Sequence, residues 1–199
     1  NMPELTAIAL LALLGAYLIG SLSSAVMLCK VSGLPDPRTQ GSGNPGATNV
    51  LRMGSKKLAA LVLLIDVLKG VIPVLIGRML GFDIDILALI AFFAFLGHLY
   101  PVFFQFKGGK GVATALGAFL ALSPALAGAA LLTWILVFAI SRISSLSAIA
   151  AAAMTPVYSL WLIDTVFART VILFIALLLL WRHRSNIQRL LAGEEKKSG

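Results

Sequence analysis

Apolar runs long enough to cross a bilayer dictate what this chain can fold into. Six of them, at about 5–29, 57–79, 85–106, 125–141, 145–163 and 167–183, reach or approach the roughly 20 residues that a helix needs to span the hydrocarbon core. Lipid offers the backbone no hydrogen-bond partners, so each run predicts a helix that satisfies its own amides and carbonyls. Composition points the same way: 59% of the 199 residues are hydrophobic, 12% are charged and the mean hydropathy is +0.98, more apolar surface than a soluble core of this size requires. The expected fold class is an all-α integral membrane protein, with residues 1–199 forming one membrane-embedded domain.

A seventh segment, GVATALGAFLAL at 111–122, is too short to cross unaided before Ser123-Pro124. Its status decides the topology. If 111–141 were one kinked helix, Lys107 and Lys110 would lie on the side opposite Arg142, whereas a separate short span returns the chain and puts all three together. With seven spans and an external N-terminus, thirteen of the sixteen Lys and Arg fall inside: Lys30, Arg38, Arg52, Lys56, Lys57, Lys107, Lys110, Arg142, Arg182, Arg184, Arg189, Lys196 and Lys197. Arg78 and Arg169 fall outside, and Lys69 falls within a span. The excess of inside cations predicts a bundle of seven transmembrane helices with a cytoplasmic C-terminus. The first apolar run has no basic leader or cleavage site and reads as a retained span, while Asn1 ahead of Met2 reads as an added residue.

A net charge of +8 raises the possibility of nucleic-acid binding, but the basic residues lie between apolar runs rather than along a soluble face. Anionic headgroups or phosphorylated substrates fit better. The lone Cys29 has no partner for an internal disulfide and reads as a small packing residue.

The predicted inside loops hold the polar motifs. In GSGNPGATNVLR (41–52), glycines and Pro45 enforce tight turns and a helix is expected from Ala47, so backbone amides and Arg52 can surround a small anion. The same loop also reads as a capped connection in which Ser42, Asn44 and Thr48 satisfy backbone groups. KGGKGVAT (107–114) repeats the pattern: Gly108, Gly109 and Gly111 permit close backbone approach, and Val112-Ala113-Thr114 opens a helix with its positive end facing inward. It is no Walker A loop, because Gly111 follows Lys110 where Ser or Thr is needed and no strand precedes it. Lys107 and Lys110 taken alone are equally read as headgroup anchors, a role that needs no glycines.

Three further polar features have both bland and functional readings. His98, just before Pro101, reads as a supporting residue facing the bundle. Asp66 and Lys69, three apart in one span, read as an internal pair, with an ion or proton path as the other reading. SRISS (141–145) and RHRSNIQRL (182–190) place Arg142 between hydroxyls and put His183 and Asn186 on one helical face, beside cations that also suit anionic lipid.

Together GSGNPGATNVLR, GHLYPVFFQFKGGKGVAT and HRSNIQRLLAGEE resemble, in order and over nearly the whole chain, the three motifs of the PlsY family of bacterial membrane acyl-phosphate:glycerol-3-phosphate acyltransferases. The resemblance implies seven spans in the bacterial cytoplasmic (inner) membrane with the active site on the cytoplasmic side. It implies transfer of a fatty acyl group from acyl phosphate to the sn-1 hydroxyl of glycerol 3-phosphate, giving lysophosphatidate and inorganic phosphate, the first acylation of phospholipid synthesis. Carried over by residue, Ser42, Gly43, Asn44, Thr48, Asn49 and Arg52, with Lys110 and Thr114, would form a phosphate pocket supported by the Gly108, Gly109 and Gly111 loop. Ser141, Arg142, Ser144, His183 and Asn186 would hold glycerol 3-phosphate.

The residue inventory agrees with that chemistry. Soluble-type glycerophosphate acyltransferases use an H-x4-D dyad, but Phe103 and Gln188 stand five residues after His98 and His183. A mixed anhydride carries its own leaving group, so the protein chiefly has to neutralise phosphate, align the hydroxyl and polarise the carbonyl. No cofactor, metal or nucleic acid is expected; acyl phosphate, glycerol 3-phosphate and membrane lipids are the expected partners, and oligomeric state is left open. His183 is expected as an orienting group or base. Two other classes fit parts of the chain. A secondary transporter or flippase for an organic phosphate would use half-helices near midplane, usually in inverted repeats. An anionic-lipid scaffold would explain the terminal cations and not the glycine loops.

Overall fold

A computed structural model of the chain describes residues 2–197, with side chains from residue 6; the reading of Asn1 lies outside the described residues. Among the described residues ten α-helices follow one another: α1 (Met2–Gly20), α2 (Ser24–Val31), α3 (Ala47–Arg52), α4 (Lys56–Met79), α5 (Ile84–Leu99), α6 (Val112–Leu122), α7 (Pro124–Ser141), α8 (Ser144–Leu162), α9 (Val166–Arg182) and α10 (Arg184–Leu191), with a short 3₁₀ turn at Val102–Phe104. No strand occurs among the described residues. Among the described residues four helices are long and apolar enough to cross a membrane, and up to six spans result when the bent pairs α1/α2 and α9/α10 are each taken as one. The predicted first span is therefore broken at Ser21–Ser23 with a bend of 42°, and the last is bent by 56° at His183.

The chain divides into two units, residues 1–122 and 123–199. In the first, α4 packs on α6 and α1 on α5. Small residues make both contacts close: a Cβ on Gly70 would run into the Thr114 carbonyl, and one on Gly117 into the Val67 carbonyl. Gly20 and Gly97 stand in the same relation to the carbonyls of Ala94 and Tyr17. Between apolar helices in lipid, backbone approach of this kind supplies the packing that a hydrophobic driving force supplies in water. The result fixes α6 against α4 and so holds the short helix in place. Arg78 adds a polar tie, its guanidinium donating to the carbonyls of Ala121 and Leu122 at 2.9 Å, where the α6 C-terminus leaves acceptors unpaired.

In the second unit α8 packs against α7 and α9, and α10 returns to touch α8 and α9. Ser123 caps α7 by accepting from the Leu126 amide, and Pro124 fills the first helical position, where its missing N–H costs nothing. Outward side chains such as Leu132, Leu136, Ile140 and Trp161 are exposed and apolar, as a lipid-facing surface demands.

Candidate active site

The first glycine loop is built around one side chain. Asn49, in the opening turn of α3 and 1% exposed, donates through Nδ2 to the carbonyls of Pro37 at 2.8 Å and Gln40 at 3.0 Å, while its Oδ1 accepts from the Ser42 amide at 3.0 Å. Gly41 is forced to be glycine twice over, by a φ of +56° and because a Cβ there would strike Asn49 Oδ1. The loop so held presents Ser42 and Gly43 to solvent, leaves Asn44 and Thr48 half-buried, and places Arg52 exposed in the last turn of α3. Of the residues read as satisfying backbone, only the Ser42 amide joins the scaffold; Asn49, read as a pocket residue, holds the loop in shape.

The segments that lead into the two glycine loops meet within this unit. Arg38 grips Asp36 with two guanidinium nitrogens, at 3.1 Å from Nε and 2.7 Å from NH2, and donates from NH1 to the Phe104 carbonyl at 3.3 Å. The Arg38 hydrogen bond holds the Asp36 carboxyl below the usual carboxylate range. After Phe104 the backbone turns through two left-handed residues, Gln105 and Phe106, both at φ 57°, a conformation rare outside glycine. Lys107 is then exposed, Gly108, Gly109 and Gly111 are buried, and Lys110 is half-buried. The exposure difference separates the two lysines: Lys107 lies in solvent and Lys110 turns partly inward. Gly111 has φ +88°, and a Cβ on it would collide with Phe95 and Leu99. Beyond it the first amides of α6 have no carbonyl within the helix to bond, which makes that end an acceptor of negative charge. Thr114 Oγ1, fully buried in the same turn, has no hydrogen-bond partner among the described residues.

Behind the second loop lies a buried polar group. Lys69 Nζ is 3.0 Å from Asp66 Oδ1 and donates to the Leu22 carbonyl at 2.8 Å; Ser24 Oγ donates to the same carboxylate oxygen at 2.7 Å. The expected internal pair is therefore present, and it reaches the break between α1 and α2. His98 Nδ1 faces Asp66 Oδ1 at 3.8 Å.

In the second unit, α7 ends on Arg142, exposed and left-handed at φ 59°, with its amide bonded to the Phe138 carbonyl at 2.9 Å. Ser141 Oγ accepts from the Ile143 amide at 3.1 Å, and Ser144 opens α8 half-buried. His183 forms the corner between α9 and α10 and is 3% exposed; its Nδ1 lies 2.8 Å from the Leu179 carbonyl. A carbonyl only accepts, so Nδ1 carries a hydrogen.

Glu195 ties the two corners of this unit together, and nothing in sequence spacing singled it out. Its Oε1 accepts from Ser145 Oγ at 2.6 Å and from Asn186 Nδ2 at 2.7 Å, and its Oε2 from Arg189 Nε at 2.6 Å. Burial works against the charged carboxyl, yet the hydrogen bonds from Ser145, Asn186 and Arg189 hold it below its ordinary range. An acid closing a segment as basic as RHRSNIQRLLAGEEKK was the available signal. No three His, Cys, Asp or Glu side chains gather as a metal site among the described residues.

Each unit thus carries cations and oriented donors at helix ends, the equipment for binding phosphate. The family described as glycerol-3-phosphate acyltransferase matches residues 10–193. A glycerol-3-phosphate acyltransferase of Thioalkalivibrio sulfidiphilus is 56% identical over 186 residues, 94% of this chain and 92% of that protein. One from Methylococcus capsulatus is 57% identical over 187 residues, covering 92% of this chain and 93% of its own. Among solved structures, the crystal structure of PlsY (YgiH), an integral membrane glycerol 3-phosphate acyltransferase, in its glycerol 3-phosphate form, is similar with a TM-score of 0.91 at 43% identity, covering 96% of both chains. The lysophosphatidic acid form of that enzyme gives a TM-score of 0.88 at 42% identity, covering 95% of this chain and 94% of its own. The chain belongs to the glycerol-3-phosphate acyltransferase family of integral membrane proteins.

Proposed function

We propose that this protein transfers a fatty acyl group from acyl phosphate to the sn-1 hydroxyl of glycerol 3-phosphate, releasing lysophosphatidate and inorganic phosphate. The observation that carries the reading is the likeness to one enzyme in two forms, with glycerol 3-phosphate and with lysophosphatidic acid, which differ by a single acyl group. Acyl phosphate as donor is supported by the chemistry of the chain, which lacks an H-x4-D dyad but carries two glycine loops with Lys110 between them and α6.

The donor phosphate is held by Lys110, the α6 amides and Thr114 and lined by Ser42, Gly43, Asn44, Thr48 and Arg52, with Asn49 holding the lining in shape. Glycerol 3-phosphate is held by Ser141, Arg142, Ser144, Asn186 and His183. The sn-1 oxygen attacks the acyl carbon, the bond to the phosphate oxygen breaks, and phosphate leaves with the electron pair. A substrate phosphate, largely dianionic at neutral pH because its second pKa is near 6, accepts the hydroxyl proton. His183 orients glycerol 3-phosphate without taking that proton. Full loss of kcat in His183→Ala with unchanged substrate binding, and a kinetic pKa that disappears with the imidazole, would instead make His183 the base.

The topology goes with this reading: seven spans, α6 being the short seventh, the N-terminus outside and both glycine loops, SRISS and the C-terminus on the cytoplasmic side of the bacterial inner membrane. Purified protein in lipid, given labelled glycerol 3-phosphate with acyl phosphate, acyl-CoA or an acyl carrier protein thioester, tests the activity. Lysophosphatidate and phosphate are expected in equal amounts from acyl phosphate alone. Product from a thioester and none from acyl phosphate refutes the donor, and no product from any donor refutes the enzyme.

A further inference from the structure

We infer that His98, backed by Asp66 and Lys69, is a positioning residue that sets where Gly109, and through it Lys110, sits in the second glycine loop. The inference rests on the reading that this loop binds the donor phosphate. A buried Asp and Lys in the middle of a span are costly, and replacement by apolar side chains of similar volume is often neutral or stabilising, so mutual pairing alone does not account for them. Both side chains are 4% exposed. Their arrangement has a direction: Ser24 Oγ and Lys69 Nζ both bond Asp66 Oδ1, which locks the oxygen that looks at His98 Nδ1 across 3.8 Å. That separation is beyond a hydrogen bond, but a fixed negative charge on this side favours the ring orientation with an N–H toward it.

The opposite edge of the ring meets the loop. A Cβ on Gly109 would overlap His98 Nε2 and also crowd Cε1 and Cδ2, so the glycine backbone rests on the imidazole with no space for a side chain. The Gly109 amide donates to the His98 carbonyl at 3.1 Å, and a Cβ on Gly108 would strike that same carbonyl. His98 therefore meets the loop through both ring and backbone, from a place one residue before the end of α5 (Ile84–Leu99), a rigid element. An imidazole of fixed orientation, 7% exposed, is the spacer on which residues 108–110 lie. Such a contact matters because displacement by about 1 Å of a group that aligns substrate is enough to cost about 100-fold in rate.

A double-mutant cycle on His98→Ala and Gly109→Ala, in the full chain in lipid, tests this with two readouts: KM for each substrate and amide exchange across 107–111. Gly109→Ala alone is expected to lower kcat/KM by about 100-fold, and adding His98→Ala to recover at least about tenfold of that loss, because the clash is relieved. His98→Ala alone is expected to raise KM for acyl phosphate by about tenfold, to move KM for glycerol 3-phosphate by less than about twofold, and to speed exchange at 107–111. His98→Leu, which keeps apolar volume, should show the same donor KM and exchange changes if the alanine variant does not fold. Multiplicative effects in the cycle, or unchanged exchange and donor KM in both single variants, overturn the inference. So does an equal rise in both KM values accompanied by a fall in Tm, the mark of a merely structural histidine. Coupled exchange with a change only in the KM for glycerol 3-phosphate leaves the positioning role standing and refutes the assignment of this loop to the donor.

Discussion

Glu195→Ala removes the acceptor on which three donors of the second unit converge, and its cost follows from what each donor loses. Hydrogen bonds to a charged group are worth about 1.5–3 kcal/mol, and those from Ser145 Oγ and Asn186 Nδ2 end on a side chain only 6% exposed. Arg189 is 41% exposed, so its ion pair is screened and contributes about 0–1 kcal/mol. Taking the low end for the two neutral donors, because water can replace part of what they lose, the loss is about 3 kcal/mol. Asn186 is also proposed to hold glycerol 3-phosphate, so the same substitution should raise KM for that substrate by about tenfold or more while leaving KM for acyl phosphate within about twofold. Glu195→Gln keeps an acceptor for Ser145 and Asn186 but turns an amide toward Arg189, and is expected to fall between. The carboxyl is held below its usual range in the folded chain, so its contribution is fully present above the unfolded value of about 4.3 and is lost as pH falls through the folded value. The Tm difference between wild type and Glu195→Ala should therefore be constant from about pH 6 to 8 and shrink only below about pH 4. Thermal unfolding in detergent across pH, with steady-state kinetics in lipid, checks both parts. A Glu195→Ala protein with unchanged Tm and unchanged KM for glycerol 3-phosphate would refute the argument, as would a Tm difference that vanishes already near neutrality.

Three further outcomes are expected. Asn49→Ala removes the side chain that holds Pro37, Gln40 and Ser42, at a cost of about 2–3 kcal/mol, and limited proteolysis should then cut within 38–46 where the wild type resists. Asp66→Asn leaves Lys69 buried without a counter-charge and should cost about 3–5 kcal/mol, whereas Asp66→Asn with Lys69→Met should recover most of it, a difference visible in Tm and in yield from the membrane. Gly111→Ala meets both a left-handed φ of +88° and the side chains of Phe95 and Leu99, so acyl transfer should fall below about 1% of wild type; retention of most activity would show that the loop does not need this shape.

How much of this was legible in the sequence depends on how far apart the partners lie along it. Helices are written locally, in the apolar runs and in signals such as Ser123-Pro124, and the start of α3 at Ala47 and of α6 at Val112 follows from the glycines that precede them. The Asp66–Lys69 pair was readable for the same reason, because three residues on a helix is one face. The ties that give the polar corners their shape are different. Ser24 meets Asp66 across 42 residues, Ser145 meets Glu195 across 50, and Arg38 meets Phe104 across 66, and no periodicity reports such a meeting. Breaks in the helices were hidden as well: hydropathy ran on through Ser21–Ser23, yet there the backbone opens and Lys69 takes the Leu22 carbonyl that an unbroken helix would have used. In a membrane protein such carbonyls cannot be left to water, so a break in an apolar run requires a polar group from elsewhere in the chain. The buried lysine in α4 was therefore a sign of an interrupted neighbouring helix, and a cation in one span with no purpose on its own helix is where a second, broken span should be sought.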